Sequence, residues 1–222
     1  MIEKIGILGG TFDPFHYGHL GLAQEIREQF ELTRVLLVPV NQSPQKDSSP
    51  QASAAHRLAM LQLGLGTDPS LTISDMEIKR GGISYSIDTL TDLHSLFPEA
   101  ELFLILGADA FNAIGTWKHS ARIMEENHII VGARPEHTLS SPQNQLQHIV
   151  GHASPYSFVE QKQGTTTFRH ILSGRHLFFT DITLQDISSR EIRRRIMEKK
   201  TTKNLLPAEV EEYIIRHRLY QS

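Results

Sequence analysis

Short apolar runs alternate with amphipathic stretches along this chain. Ile5 to Leu8, Val35 to Val40, Leu71 to Ile73, Leu102 to Leu106, His128 to Val131 and His176 to Phe179 have the length and aliphatic or aromatic content of buried strands. Ala54 to Leu65, Ser86 to Leu96 and Asp109 to Ile114 carry helical periodicity, as does the stretch marked by Leu20, Ala23, Ile26 and Arg27. The chain closes on two further helical patterns, Ser188 to about Lys200 and Pro207 to His217. Val210, Tyr213, Ile214 and His217 share one stripe of the second. This alternation predicts an α/β fold: a doubly wound, mostly parallel sheet with helices on both faces and helices at the carboxyl end. In such a sheet ligands bind beyond the carboxyl ends of the strands.

One region breaks the pattern. Glu136 to Arg175 is polar, rich in Gln, Ser and His, and interrupted by Pro142, Pro155 and Gly164. It reads as an insertion with one helix around Gln143 to Ile149. The expectation is therefore a single domain over residues 1–222 with a variable insertion at about 136–175.

Composition narrows the function classes. A chain of 222 residues with 39% hydrophobic positions can bury one substantial core. A net charge of −3 offers no bulk attraction to nucleic acid or anionic lipid, so neither partner is expected. The absence of cysteine removes disulfides, thiolate metal sites and cysteine nucleophiles. Met1 to Leu8 has neither the basic start nor the apolar core of a secretory signal, and no apolar run reaches membrane-spanning length, so a cytoplasmic protein is expected. A homo-oligomer is compatible with all of this.

The densest chemistry lies in GGTFDPFHYGHL, Gly9 to Leu20, directly after the first predicted strand. Asp13 and Pro14 sit where an N-cap and a first helical residue are expected. His16 and His19 then share one face of the first turns. Two imidazoles, unpaired backbone amides and the positive end of a helix dipole suit phosphate groups. A second such place is DISSREIRRRI, Asp186 to Ile196, where Ser188 and Glu191 form a capping-box pattern. Ser189 adds a hydroxyl and Arg193 a fixed cation, both able to reach an anion at a helix start. Asn41 to Lys46 and Gly107 to Asp109 also follow predicted strands.

These motifs carry a resemblance. GGTFDPFHYGHL and ISSREIR resemble the two signatures of the nucleotidylyltransferase superfamily of the H-x-G-H type. SYSIDTL at Ser84 to Leu90, LGADAF at Leu106 to Phe111 with Trp117 beyond, ARP at Ala133 to Pro135 and LLPAEVEEYIIRHRLY at Leu205 to Tyr220 resemble bacterial nicotinate-nucleotide adenylyltransferase. The likeness spans nearly the whole chain except Glu136 to Arg175. It implies a Rossmann-like nucleotidylyltransferase fold and the reaction of ATP with nicotinate mononucleotide to give deamido-NAD and pyrophosphate. Magnesium is implied as cofactor, held mainly by substrate phosphates, with no protein metal site.

By that resemblance His16, His19 and Arg193 are the catalytic candidates, stabilising the triphosphate and the charge that develops during transfer. Gly9, Gly10, Thr11, Phe12, Lys46, Gly107, Asp109, Ser188 and Ser189 are implied to bind ATP, Phe12 reading equally well as core. Tyr85, Ser86, Trp117 and Arg134 are implied to bind the mononucleotide: the indole by stacking on a pyridine ring, Arg134 by favouring a carboxylate. The chain departs from the family where the usual Pro-Pro-His-Lys appears as Ser43-Pro44-Gln45-Lys46, since Gln45 carries no charge. Phosphopantetheine adenylyltransferases and cytidylyltransferases share the first motif, but SYSIDTL and Trp117 argue against them. A class I aminoacyl-tRNA synthetase fragment would need room and charge for RNA that this chain lacks. A non-catalytic nucleotide sensor is the remaining alternative, and the intact His16, His19 and Arg193 weigh against it.

Overall fold

Every strand expected from the apolar runs is present in the computed structural model, which describes residues 2–44, 50–133, 142–151, 154–183 and 187–221. They are β1 (Lys4–Gly10), β2 (Arg34–Pro39), β3 (Leu71–Ile73), β4 (Glu101–Gly107) and β5 (His128–Ala133), with His176–Asp181 as β8. Two strands inside the insertion, β6 (Tyr156–Lys162) and β7 (Thr165–His170), complete the set. The helices are α1 (Tyr17–Gln29), α2 (Ala54–Leu65), α3 (Met76–Arg80), α4 (Ser86–Leu96), α5 (Ala108–Asn112), α6 (Ser120–Glu126), α7 (Pro142–Val150), α8 (Ser189–Met197) and α9 (Ala208–Arg216). A 3-10 turn, Ile114–Thr116, follows α5.

The chain divides into two compact units. The first contains Met1–Leu8, Ile26–Thr33 and Tyr85–Thr183. Here β1, β4, β5 and β8 lie side by side and parallel, with Ile5 opposite Leu102, Phe103 opposite His128 and Ile129 opposite Leu177. Strands β7 and β6 then extend this mostly parallel sheet antiparallel to β8. The central strands are apolar throughout because they are buried: Leu102 to Leu106 and Ile129 to Val131 are all almost fully inaccessible.

The second unit contains Gly9–Glu25, Arg34–Ser84 and Leu184–Ser222. Strands β2 and β3 pair in parallel, Val35 opposite Leu71. Helix α2 packs on α9, and Ala52, Met60, Ile187, Ile192, Leu206, Val210, Ile214 and Tyr220 form one buried cluster. The stripe foreseen for the last helix thus has Val210 and Ile214 inside, but His217 is exposed. Among the described residues no helix is long and apolar enough to cross a membrane.

The insertion departs from its expected form. The helix is there as α7, but the remainder holds a β-hairpin turning through Gln163 and Gly164, both with positive φ. Periodicity missed β6 because it is a sheet edge, exposed from Ser157 through Lys162, and nothing forces its residues to alternate. Asp109 to Ile114 likewise splits into α5 and the 3-10 turn instead of one helix.

Candidate active site

The loop after β1 folds differently from the cap predicted for it. Gly9 and Gly10 are the last residues of β1, not a turn, and α1 begins only at Tyr17. Asp13 is not its N-cap and Pro14 is not its first residue. The cap is made by His16: its Nδ1 accepts the His19 amide at 3.3 Å and its carbonyl accepts the same amide at 2.9 Å. The two imidazoles stack with centroids 3.7 Å apart and planes at 19°. Gly18 makes this possible, since a Cβ there would lie 3.0 Å from the His16 ring and 3.4 Å from the Ile187 carbonyl.

Asp13 is instead an internal anchor. Its carboxylate, 3% exposed, accepts the amides of Gln51 at 2.8 Å and Ala52 at 3.2 Å, and the Tyr220 hydroxyl at 2.6 Å. Phe12 adopts a positive φ of 50°, a backbone state that costs a non-glycine residue on the order of 1–3 kcal/mol and is tolerated where surroundings enforce it. Its ring is buried against Phe15 and His19, so the side chain serves the core. The two glycines part ways for the same reason. A Cβ on Gly10 would meet the Phe12 ring at 2.9 Å, whereas one on Gly9 would enter open space.

Helix α8 brings the second motif against this loop. Ser188 caps it by accepting the Glu191 amide at 3.2 Å. The reciprocal half of the capping box is not formed, because the Glu191 carboxylate is taken by Arg194 and Arg195. Those two hydrogen-bonded guanidinium groups hold Glu191 down at about 2. Ser189 donates its hydroxyl to the Pro14 carbonyl at 3.0 Å. Arg193 donates to the Asp13 carbonyl at 2.6 Å, its Nη1 staying 4.0 Å from the Asp13 carboxylate. Two helix starts far apart in sequence are therefore joined through residues 13, 14, 189 and 193.

Sequence reasoning missed Arg57. This α2 residue is 1% exposed and donates to the carbonyls of Thr11 at 2.9 Å, Val40 at 2.7 Å and Asn41 at 3.3 Å. It ties the loop after β1 to the loop after β2. Burial lowers its pKa, opposed by the nearby Asp13 carboxylate and Tyr220, and the guanidinium stays charged. The signal was visible: Arg57 occupies the apolar stripe of Met60, Leu61 and Gly64, where a solvated arginine would not sit.

The other candidates lie in the first unit. Gly107 ends β4 and precedes α5, with open space where a Cβ would go. Asp109 stands exposed in the first turn of α5. Tyr85 precedes α4 and Ser86 is that helix's first residue, neither capping it through a side chain. Trp117 follows the 3-10 turn, half-buried, its Nε1 enclosed without a hydrogen-bond acceptor among the described residues. Beside it Lys118, also missed, holds its ammonium 4.5 Å above the Tyr85 ring and 3.3 Å from Asp88. Lys46, with Gln45, and Arg134 lie outside the described residues.

Among the described residues no cluster of His, Asp and Glu has the makings of a metal site. The one carboxylate within the motif loop, Asp13, already accepts from Gln51, Ala52 and Tyr220. These residues do not build a magnesium cage.

The family of the chain is shown by its likeness to known proteins. The cytidylyltransferase-like family model covers residues 7–195. A "Probable nicotinate-nucleotide adenylyltransferase" of Geotalea uraniireducens (strain Rf4) is 40% identical over 217 residues, 98% of each chain. Another, of Desulfatibacillum aliphaticivorans, is 41% identical over 218 residues, 98% of this chain and 99% of the relative. The fold is shared with Plasmodium falciparum nicotinic acid mononucleotide adenylyltransferase complexed with NaAD, at a TM-score of 0.75 and 19% identity over 98% of this chain and 97% of that one. The chain belongs to the cytidylyltransferase-like family, and within it to the nicotinate-nucleotide adenylyltransferases.

Proposed function

We propose that this chain transfers the adenylyl group of ATP to nicotinate mononucleotide, forming deamido-NAD and releasing pyrophosphate. The observation that supports this most directly is the joining of the two motifs: Arg193 and Ser189 of α8 grip the backbone of the loop that leads through His16 into the helix of His19. The mononucleotide phosphate, with a second pKa near ~6, is largely dianionic at neutral pH and attacks the α-phosphorus without a general base. One P–O bond forms to the acceptor phosphate as the bond to the β-phosphate bridge breaks, and pyrophosphate leaves with the electron pair. Catalysis then consists of alignment and charge neutralisation.

Each residue has a part in that. Because His16 Nδ1 accepts the His19 amide, a neutral His16 carries its proton on Nε2 and is a donor there. His19, stacked on it, and Arg193 neutralise charge on the phosphates. The main chain beside Gly9 admits a phosphate where a side chain would stand. Ser188, Ser189, Thr11, Gly107, Asp109 and Lys46 complete the ATP contacts; Tyr85, Ser86, Trp117 and Arg134 take the mononucleotide. Magnesium arrives with the triphosphate as part of the substrate, since phosphates and water suffice to hold it.

The test is pyrophosphate release from ATP with nicotinate mononucleotide, run in parallel with nicotinamide mononucleotide. Turnover with the first and little with the second supports the reading. Release with neither, by folded protein that still binds ATP, would replace it with a nucleotide sensor.

A further inference from the structure

Tyr220 lies at the far end of the chain from the histidine motif, yet its hydroxyl is bonded at 2.6 Å to the carboxylate of Asp13, and both side chains are buried. We propose that Tyr220 is a positioning residue for adenylyl transfer, acting through Asp13 on the place of the Arg193 guanidinium. The proposal rests on the reading of Arg193 as a phosphate-neutralising group.

Two groups of Asp13, its carbonyl and its carboxylate, compete for one cation. Arg193 Nη1 sits 2.6 Å from the Asp13 main-chain oxygen but 4.0 Å from its carboxylate. A guanidinium beside a buried carboxylate ordinarily closes into a direct, charge-assisted pair. Here Asp13 Oδ1 is occupied by the Tyr220 hydroxyl and the Ala52 amide, and Oδ2 by the Gln51 amide. With three donors already drawing on its charge, the carboxylate has less to offer Arg193, and the guanidinium stays on the carbonyl, the rest of its fork bonded to nothing among the described residues. Burial and the bond to Asp13 push the Tyr220 pKa far up, so the hydroxyl remains a donor at any working pH.

The Tyr220 ring also belongs to the apolar cluster with Met60, Val210 and Ile214, so its position is set by the packing of α9 on α2. Core packing and the reacting loop are thereby linked through one hydroxyl. Removing that hydroxyl leaves one amide donor on each carboxylate oxygen, so less of the Asp13 charge is neutralised by hydrogen bonds and a direct ion pair with Arg193 becomes more favourable. Arg193 then turns from the nucleotide toward the loop.

Tyr220→Phe tests this, since it keeps the ring and deletes only the hydroxyl. Pyrophosphate release is measured at 25 °C, well below the unfolding midpoint, with kcat and KM for both substrates and the thermal midpoint of the same sample. The expected result is a fall in kcat of about tenfold with each KM within about twofold, the signature of a transition-state interaction lost. A lowered midpoint with kcat within about twofold of the parent would reduce the bond to a structural one and overturn the proposal. Gln51→Pro, which deletes a different donor to the same carboxylate, is assayed alongside and should show the same split. If neither variant folds, the carboxylate's bonds are required for stability, and the positioning role is overturned as well. An inactive parent protein would instead refute the adenylyl-transfer reading itself.

Discussion

Phe15 and Gly64 are in contact so close that a single methyl group on the glycine would stand 2.4 Å from the phenyl ring. Phe15 is fully buried and stacks on His19, with centroids 5.7 Å apart and planes at 15°. Gly64→Ala should gain up to about 1 kcal/mol of helix propensity in α2. It should lose more, about 1–3 kcal/mol, by overpacking. The net outcome expected is a lower thermal midpoint and a reduced kcat, because the displaced ring pushes on the imidazole. An unchanged or raised midpoint would mean that Phe15 has room to move.

His16 joins two duties that different substitutions separate. His16→Ala removes the side-chain acceptor at the start of α1, at a cost of about 1 kcal/mol, and removes the imidazole. His16→Asn restores a capping acceptor without the ring. Urea unfolding should show stability recovered in the asparagine variant, while turnover stays down on the order of 10²-fold in both. Turnover that recovers together with stability would confine His16 to capping.

Arg57→Met leaves the carbonyls of Thr11, Val40 and Asn41 without their buried donor. The expected loss is roughly 3 kcal/mol, the scale for stranding buried polar and charged partners. Arg57→Lys should recover only part of it, since an ammonium lacks the planar fork. Denaturant midpoints of the two variants, compared at equal m-value, check the ordering.

Acid should weaken the first unit through His128. Burial above all, then Arg175, His176 and Lys4, lowers this imidazole from 6.5 to about 4. Its ring nitrogens face the Arg175 guanidinium at 3.2 Å and the His176 amide at 3.1 Å, both donors, so a second ring proton would point at another N–H. The unfolded chain binds this proton first. Stability is therefore fully present above about 6.5 and drains as pH falls toward about 4, by up to about 3 kcal/mol. His128→Asn should flatten that part of the pH dependence in urea unfolding measured between pH 7.5 and 4.5. An identical slope in parent and variant would assign it to other groups.

The buried strands and the longer helices were legible because burial imposes a period on their residues: Ala54–Leu65 and Ser86–Leu96 have the bounds expected of them. The edge strand β6 was not, since an exposed edge carries no such imprint. The motif loop was legible in its chemistry and illegible in its conformation. Local rules offered Asp13 as a cap for the helix that follows, but three distant partners, Gln51, Ala52 and Tyr220, outbid that local role. Arg57 could have been found from its place on an apolar stripe, whereas Tyr220 and Lys118 owe their positions to contacts that no spacing in the sequence encodes.

The missing side chain of Gly9 relieves no crowding among the described residues, unlike that of Gly10. Gly9→Ala should accordingly yield a chain as stable as its parent whose deficit is confined to nucleotide affinity, read as a weakened ATP Kd by calorimetry at an unaltered melting point. Such a variant divorces foldability from nucleotide binding at one atom, and an undiminished affinity would show that the nucleotide never visits that space.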